Sequence, residues 1–385
     1  MGAEGTAQGA HVLVFPCPAQ GHINPMLQFA KRLLHKGLKV SLVATTVLTK
    51  SIVAETGPIS LELISDGSED GQEKAVSTEA LERFKRIGSQ SLNDLILKLG
   101  NSDRPVDCLV YDSFLPWALD VAKQVGIPGA AFFTQTCAVE AIYYNAYHRK
   151  VSVAVPCEAV SLPGLLSSRH QRVEEDQDYG VSLWKKDSAT CKEWLDSKDD
   201  GSVVYVSFGS IANLGSLKME EIACALKDSD YDFLWVVRES EESNLPEKFA
   251  EESKEKGIVV RWCPQLEVLS HRAVGCFVTH CGWNSTLEAL TLGVPMVAYP
   301  QWSDQPTNAK YIEDVWRVGV RAKIDDEGIV RREELKNCLK EIMEGERGVE
   351  IKRNAFNWRK RVKEALEEGG SSDKNIEEFV TVISG

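Results

Sequence analysis

WCPQLEVLSHRAVGCFVTHCGWNSTLEALTLGVPMVAYPQWSDQ, residues Trp262–Gln305, is the stretch whose reading decides the fold. The apolar run Val274–Val278 reaches a polar turn, His280-Cys281-Gly282-Trp283-Asn284-Ser285, after which apolar residues recur at helical spacing. A second apolar run, Val294–Tyr299, follows, and the stretch closes on Gln301-Trp302-Ser303-Asp304-Gln305. This is strand, tight turn, helix, strand. Loops beside buried parallel strands that carry Trp, His, Asn, Asp and Gln are where α/β proteins build sites.

The same pattern continues outward on both sides. HVLVFPC (His11–Cys17) is a near-continuous apolar run, as a strand covered on both faces requires. After it, Asn24-Pro25 reads as cap and first residue of a helix that Gly37 ends. Strand and helix patterns alternate through Val106–Tyr111, Phe114–Val125 and Gly129–Phe133 to Gln135–His148. From Val151 to about Asp200 no buried strand is legible, and this stretch reads as a surface-running connection. A second series opens at Ser202–Ser210 and ends in three helices, Arg332–Met343, Gly348–Glu367 and Ser372–Ile383. Two doubly wound α/β domains are the expected architecture, and a chain of 385 residues suits two cores better than one. The expected layout is 10–166, a linker over 167–200, a second domain over 201–370, and a C-terminal helix over 371–385 that returns to the first domain.

A net charge of −13 argues against nucleic acid as the main partner, since phosphate backbones demand clustered Lys and Arg. No apolar run is long enough to span a membrane, and residues 1–10 lack the apolar core of a secretion signal. Ten cysteines without paired spacing, most of them in apolar runs (Cys108, Cys137, Cys224, Cys276), read as reduced, buried thiols of a cytoplasmic protein.

His22 follows the first strand, where open α/β sheets place their sites, and Asp112 ends another apolar strand and reaches the same edge. A lone loop histidine more often makes a local hydrogen bond, and Asp112 also suits a helix cap. As a pair, however, they make a base with an orienting carboxylate. No G-x-S-x-G elbow or papain-like cysteine supplies a nucleophile, so the pair is expected to activate a substrate hydroxyl, which points to group transfer. For the group donor, the turn at His280, Asn284 and Ser285, opening a helix, offers N–H groups and a positive dipole end to a phosphate. Phe208-Gly209-Ser210 is a second strand-end turn of small residues. Neither turn is a P-loop, and no G-x-G-x-x-G occurs. Trp262 before Pro264 offers a platform for a flat base, Glu288 an acceptor for a ribose diol, and Asp304-Gln305 partners for sugar hydroxyls. Cys263, Cys276, His280 and Cys281 contain no C-x-x-C pair, and zinc is not expected.

Trp262–Gln305 resembles, end to end, the plant secondary product glycosyltransferase box of UDP-dependent glycosyltransferases. The resemblance extends to GHINP around His22, YDSFLPWALDVA around Asp112, Phe132–Thr134, VVYVSFGS before Ile211, and the closing GGSSDKNIEEF. Glucosyltransferases of small acids, terpenoids and steroids are the nearest kin it points to. It implies a GT-B fold, two facing Rossmann-like domains with a cleft between them, and a metal-free, inverting reaction between UDP-glucose and a small-molecule acceptor; the protein is expected to be a monomer. By resemblance His22 is the base and Asp112 orients it. Trp262 stacks on uracil, Gln265 and Glu288 hold the ribose, and Ser210, His280, Asn284 and Ser285 hold the phosphates. Trp283, Asp304, Gln305 and Thr134 contact the sugar, and Gln305 as the last residue of the box favours glucose over galactose. The acceptor is expected to be read by loops around Ile64–Ala75 and Ala138–Tyr147. In one place the chain departs from the family. The LPGL motif, Leu162–Leu165, runs almost directly into Arg172-Val173-Glu174, where the family carries a long segment with further helices and strands of the first domain. Exposed strand edges are expected there. A nucleotide-sugar or metabolite binding protein without turnover is the alternative to an enzyme.

Overall fold

Every residue of His11–Phe15 (β1) is buried, and so is every residue of Cys108–Asp112 (β4), as strands between two helix layers must be. The computed structural model describes residues 9–45, 57–68, 78–148 and 188–385. These residues fall into two compact units. The first runs to residue 134 and takes back residues 373–385. Its elements are β1, α1 (Gln20–His35), β2 (Lys39–Thr45), β3 (Ser60–Ile64), α2 (Thr78–Gly100), β4, α3 (Trp117–Val125) and β5 (Gly129–Phe132). The strands form one parallel sheet in the order β3-β2-β1-β4-β5. Alternate side chains serve opposite faces. Val12, Val14, Val40 and Leu42 pack with Ile23, Met26, Leu27, Ala30 and Leu33 of α1, whereas Leu13, Phe15 and Leu109 pack with Leu92, Leu95 and Ile96 of α2. Residues 373–385 seal the α1 side. Ile376 is buried there, Phe379 lies 5.6 Å from Phe29, and Lys36 Nζ donates at 2.8 Å to both Asp373 and Glu377.

Among the described residues the first sheet ends at β5, whose residues are partly or largely exposed, and Phe133 just beyond it is 52% exposed.

The second unit holds residues 135–148 and 188–372. Its elements are α4 (Cys137–Tyr147), α5 (Ser188–Asp196), β6 (Val203–Ser207), α6 (Gly215–Asp228), β7 (Asp232–Val236), α7 (Phe249–Glu252), β8 (Gly257–Val260), α8 (Gln265–Ser270), β9 (Val274–Thr279), α9 (Trp283–Leu292), β10 (Met296–Ala298), α10 (Gln305–Lys310), β11 (Gly319–Arg321), α11 (Arg332–Met343) and α12 (Glu346–Leu366). Its six parallel strands lie in the order β11-β10-β9-β6-β7-β8. Core forms on both faces, with Val204, Val206, Phe233 and Trp235 on one and Tyr205, Leu234, Phe277 and Met296 on the other.

Several local expectations need correcting. Helix α1 opens at Gln20, four residues before Asn24, so Pro25 lies inside it and His22 stands in its first turn rather than in a loop. The N–H groups of His22 and Ile23 both reach the Ala19 carbonyl, closing that turn ahead of the proline, which costs the helix one later bond. Glu239–Asn244, an acidic stretch after β7, forms a 3-10 helix. Within the stretch read as a surface connection, Ser188–Asp196 is a helix whose Cys191 and Leu195, four apart on one face, enter the second core. Residues 149–187, with Leu162–Leu165 and Arg172-Val173-Glu174, lie outside the described residues, as do 69–75 of the first acceptor loop. Cys137 is exposed because it opens α4, and Cys224 is half-buried, whereas Cys108 and Cys276 are buried. Among the described residues no helix is long and apolar enough to cross a membrane.

Candidate active site

In the first unit β1 and β4 are neighbours in register, Phe15 beside Tyr111, and the chain leaves them in different directions along the sheet. The carboxyl ends of such a pair form the crevice of a doubly wound sheet. Asp112 closes β4 there, fully buried. Its Oδ2 accepts from His22 Nδ1 at 2.7 Å and from the Cys17 N–H at 3.4 Å, and its Oδ1 accepts from the Phe114 N–H at 2.9 Å. The carboxylate therefore orients the histidine and caps the following turn at once. A carboxylate only accepts, so Nδ1 carries the proton and Nε2 keeps a lone pair. The Phe114 ring, 4.7 Å from the imidazole centroid to centroid, limits its rotation. Thr134, expected at the sugar, has its hydroxyl 3.1 Å from His22 Nδ1. This ordered polar pair, at the crevice end of the sheet, holds the imidazole in one tautomer with Nε2 left to accept a proton.

In the second unit the crevice lies between β6 and β9, whose last residues, Ser207 and Thr279, pair in register. Two turns leave side by side from these ends: Phe208-Gly209-Ser210, and His280 to Gly282 at the start of α9. Gly209 takes a φ of +71°, and Cys281, a non-glycine, takes +63°. The His280 imidazole fits against both glycines. A Cβ on Gly209 would lie 2.7 Å from its Nε2 and one on Gly282 only 2.4 Å away. Burial pushes this imidazole down to about 4, so it stands neutral at physiological pH and offers a hydrogen bond rather than a charge.

Gln265, first residue of α8, donates from Nε2 to Ser285 Oγ (2.9 Å) and Glu288 Oε2 (2.6 Å), while its Oε1 accepts from the Tyr205 hydroxyl (3.0 Å). Glu288 is buried on α9, and burial pushes its carboxyl up to about 7 against the Gln265 hydrogen bond. Trp262 and Trp283 are half-buried against the same core, and the Trp283 ring lies 6.2 Å from Trp316. Asn284 stands half-buried in the first turn of α9. Asp304 precedes α10, and Gln305 Oε1 accepts from the N–H groups of Gln301 (2.8 Å) and Trp302 (3.1 Å), closing that loop. Thus Ser210, Trp262, Gln265, His280, Trp283, Asn284, Ser285, Glu288, Asp304 and Gln305 all belong to the second unit, and His22, Asp112 and Thr134 to the first. Among the described residues no three His, Cys, Asp or Glu side chains cluster as a metal site requires.

Three supporting residues escaped the sequence reading. Tyr205 hides in the apolar run of β6. Arg238 follows β7 and donates to the carbonyls of Ser210 (2.6 Å) and Ala212 and to Glu241 (2.7 Å), while Glu241 Oε1 takes the Leu214 N–H (2.9 Å). Asn308 is fully buried one turn beyond Asp304. The only sequence signal for Arg238 is a cation directly after a buried strand.

The family model described as UDP-glucoronosyl and UDP-glucosyl transferase matches residues 173–358. Mogroside I-E synthase of Siraitia grosvenorii is 42% identical over 445 aligned positions, covering 97% of this chain and 98% of that protein. Those 445 positions exceed the 385 residues of this chain, so at least 60 of them face a gap here, in line with a shortened chain. Flavonol 7-O-β-glucosyltransferase of Arabidopsis thaliana is 44% identical, covering 97% of this chain and 98% of that one. Among solved structures, Os79 of O. sativa in complex with UDP superposes with a TM-score of 0.90 at 36% identity, covering 97% of this chain and 100% of that one. With relatives this similar along almost its whole length, the chain belongs to the UDP-glucoronosyl and UDP-glucosyl transferase family, as a glycosyltransferase of the GT-B fold.

Proposed function

We propose that the protein transfers glucose from UDP-glucose to a hydroxyl or carboxyl of a small lipophilic plant metabolite, with inversion, giving a β-glucoside. The observation that carries this reading is the 2.7 Å bond from His22 Nδ1 to the buried Asp112 carboxylate. With that proton fixed on Nδ1, Nε2 takes the proton of the acceptor O–H, and Asp112 stabilises the imidazolium that forms. The acceptor oxygen attacks the anomeric carbon, the bond from that carbon to the UDP oxygen breaks, and an α-linked donor gives a β-linked product. Negative charge gathers on the departing diphosphate, where the open N–H groups of α9, Ser285, Asn284 and neutral His280 stabilise it without a metal ion. Glu288 and Gln265 take the ribose, Trp262 the uracil ring, and Asp304 and Gln305 the sugar hydroxyls. The names of the Siraitia and Arabidopsis relatives, a mogroside synthase and a flavonol glucosyltransferase, support a small lipophilic acceptor. The nine described cysteines, all free, support a reducing, cytoplasmic setting for what we read as a monomer.

The test is UDP release from UDP-glucose with a panel of aromatic acids, flavonoids, triterpenoids and steroids, run with and without EDTA, and product anomeric configuration by NMR. Turnover should survive EDTA, and His22→Ala should lower kcat/KM by roughly 10²–10⁴-fold. Turnover of the variant at the parent rate would remove His22 as the base. UDP-glucose binding without UDP release on any acceptor would leave a binding protein instead.

A further inference from the structure

We propose that Asn308 is a positioning residue that locks the sugar-facing Asp304 in register with the phosphate-facing turn at Cys281. This rests on the reading above, in which Asp304 contacts the sugar and the turn from His280 to Ser285 the diphosphate. Asn308 is completely buried, and one nitrogen serves both sides: Nδ2 donates to the Cys281 carbonyl at 2.9 Å and to Asp304 Oδ2 at 2.8 Å. Its backbone N–H also reaches the Asp304 carbonyl at 3.1 Å. Both amide protons are thereby spent, and Oδ1 is left buried without a hydrogen-bond partner among the described residues. An apolar side chain of similar volume would fill this space without desolvating an unpaired carbonyl. What the amide adds is a two-way hold that no other side chain of this size supplies: Leu has no donor, and Asp only accepts.

The two partners are also the parts of the site most in need of a hold. Cys281 stands in the left-handed region, at a φ of +63°, where a side-chain-bearing residue is unfavourable. Its N–H is tied to Thr279 Oγ1 at 3.2 Å and its carbonyl to Asn308, which together keep the turn from relaxing. Asp304 is fixed from the other side by its neighbour, because Gln305 Oε1 gathers the N–H groups of Gln301 and Trp302. Asn308 is therefore where the loop before α10 is fastened to the turn before α9, so the angle between sugar and diphosphate passes through it.

Asn308→Leu, with Asn308→Asp as a second variant of the same size, separates positioning from packing. The readouts are melting temperature, UDP affinity by calorimetry, and kcat/KM for UDP-glucose and for UDP-galactose. The expected result is UDP affinity within about threefold of the parent, with kcat/KM for UDP-glucose down roughly 10–100-fold, because a sugar contact displaced by a fraction of an ångström fails in the transition state. The preference for glucose over galactose should shrink by at least about fivefold. Because Asn308 acts through Asp304, adding Asn308→Leu to Asp304→Ala should bring no further loss of that preference. An equal loss for both sugars, or additive losses in the double variant, would make Asn308 a packing residue and overturn the proposal. If Asp304→Ala itself left the sugar preference intact, the assignment of Asp304 to the sugar would fail first, and the proposal with it.

Discussion

Gly282→Ala isolates the contribution of His280, because it changes one methyl group at a position with ordinary backbone. Gly282 has a φ of −58°, so alanine meets no torsional strain there. Its Cβ would lie 2.4 Å from His280 Nε2 and 3.0 Å from Cε1, whereas ordinary contact begins at 3.4 Å, so the ring must retreat by 1.0 Å at Nε2. A shift of that size in a group hydrogen-bonded to the transition state costs about 10²-fold in kcat/KM, or roughly 2.7 kcal/mol. Overpacking should cost stability as well, about 1–3 kcal/mol, read as a fall in melting temperature. Gly209→Ala meets the same ring at 2.7 Å but must also hold a φ of +71°. It should therefore lose about 1–2 kcal/mol more stability for a comparable loss of activity. Steady-state kinetics with UDP-glucose, UDP calorimetry and thermal melting measure the three quantities. The effect passes through the imidazole, so Gly282→Ala combined with His280→Ala should be no slower than His280→Ala alone. Gly282→Ala turning over and binding UDP as the parent does would refute the placement of His280 on the diphosphate.

Three further outcomes are expected. Glu288 is raised from 4.5 to about 7 by burial, and its ionised form is the one that accepts hydroxyl groups; UDP affinity should therefore fall by about tenfold per pH unit below pH 7 and level off above it. The sign for stability is opposite, since the stabilisation of the neutral carboxyl is complete below pH 4.5 and lost as pH rises through 7. Melting of the ligand-free protein should thus decline across that window, by an amount on the order of 3 kcal/mol, and Glu288→Gln should flatten both profiles. Asp112→Asn keeps the shape but lets an amide donate to Nδ1, moving the proton to Nε2; kcat should fall about 10³–10⁴-fold with UDP affinity unchanged, and retention of activity would disprove the tautomer argument. Arg238→Met removes the donors to the Ser210 and Ala212 carbonyls and strands the buried Glu241, so a loss of about 3–5 kcal/mol in denaturant unfolding is expected, and a neutral outcome would show that the loop after β6 holds itself.

The elements most legible in the sequence are those where burial alone sets the pattern. HVLVF and VVYVS read as strands because covering both faces of a parallel sheet demands continuous apolar runs, and α11 and α12 read as helices because one face of each is apolar over three turns or more. Short elements were less legible: α8, at six residues, is too brief for a period to show. The start of α1 was misplaced because Asn24-Pro25 is a sound local start signal, while the turn actually closes on the Ala19 carbonyl.

The site divides along the same line. Residue types and spacing alone put forward His22, Asp112 and the turn from His280 to Ser285 as candidates, because their positions at strand ends follow from the order of strands and helices. Which groups hold them was decided only by tertiary structure. Asp112 reaches His22 across 90 positions, Tyr205 reaches Gln265 across 60, Arg238 reaches Ser210 across 28 and Asn308 reaches Cys281 across 27. A hydrogen bond depends on the register of neighbouring strands and on torsions such as the φ of Cys281, and neither is written into the periodicity of any one segment. Hydrophobic pattern records which face is buried; only the folded chain records what each buried polar atom meets.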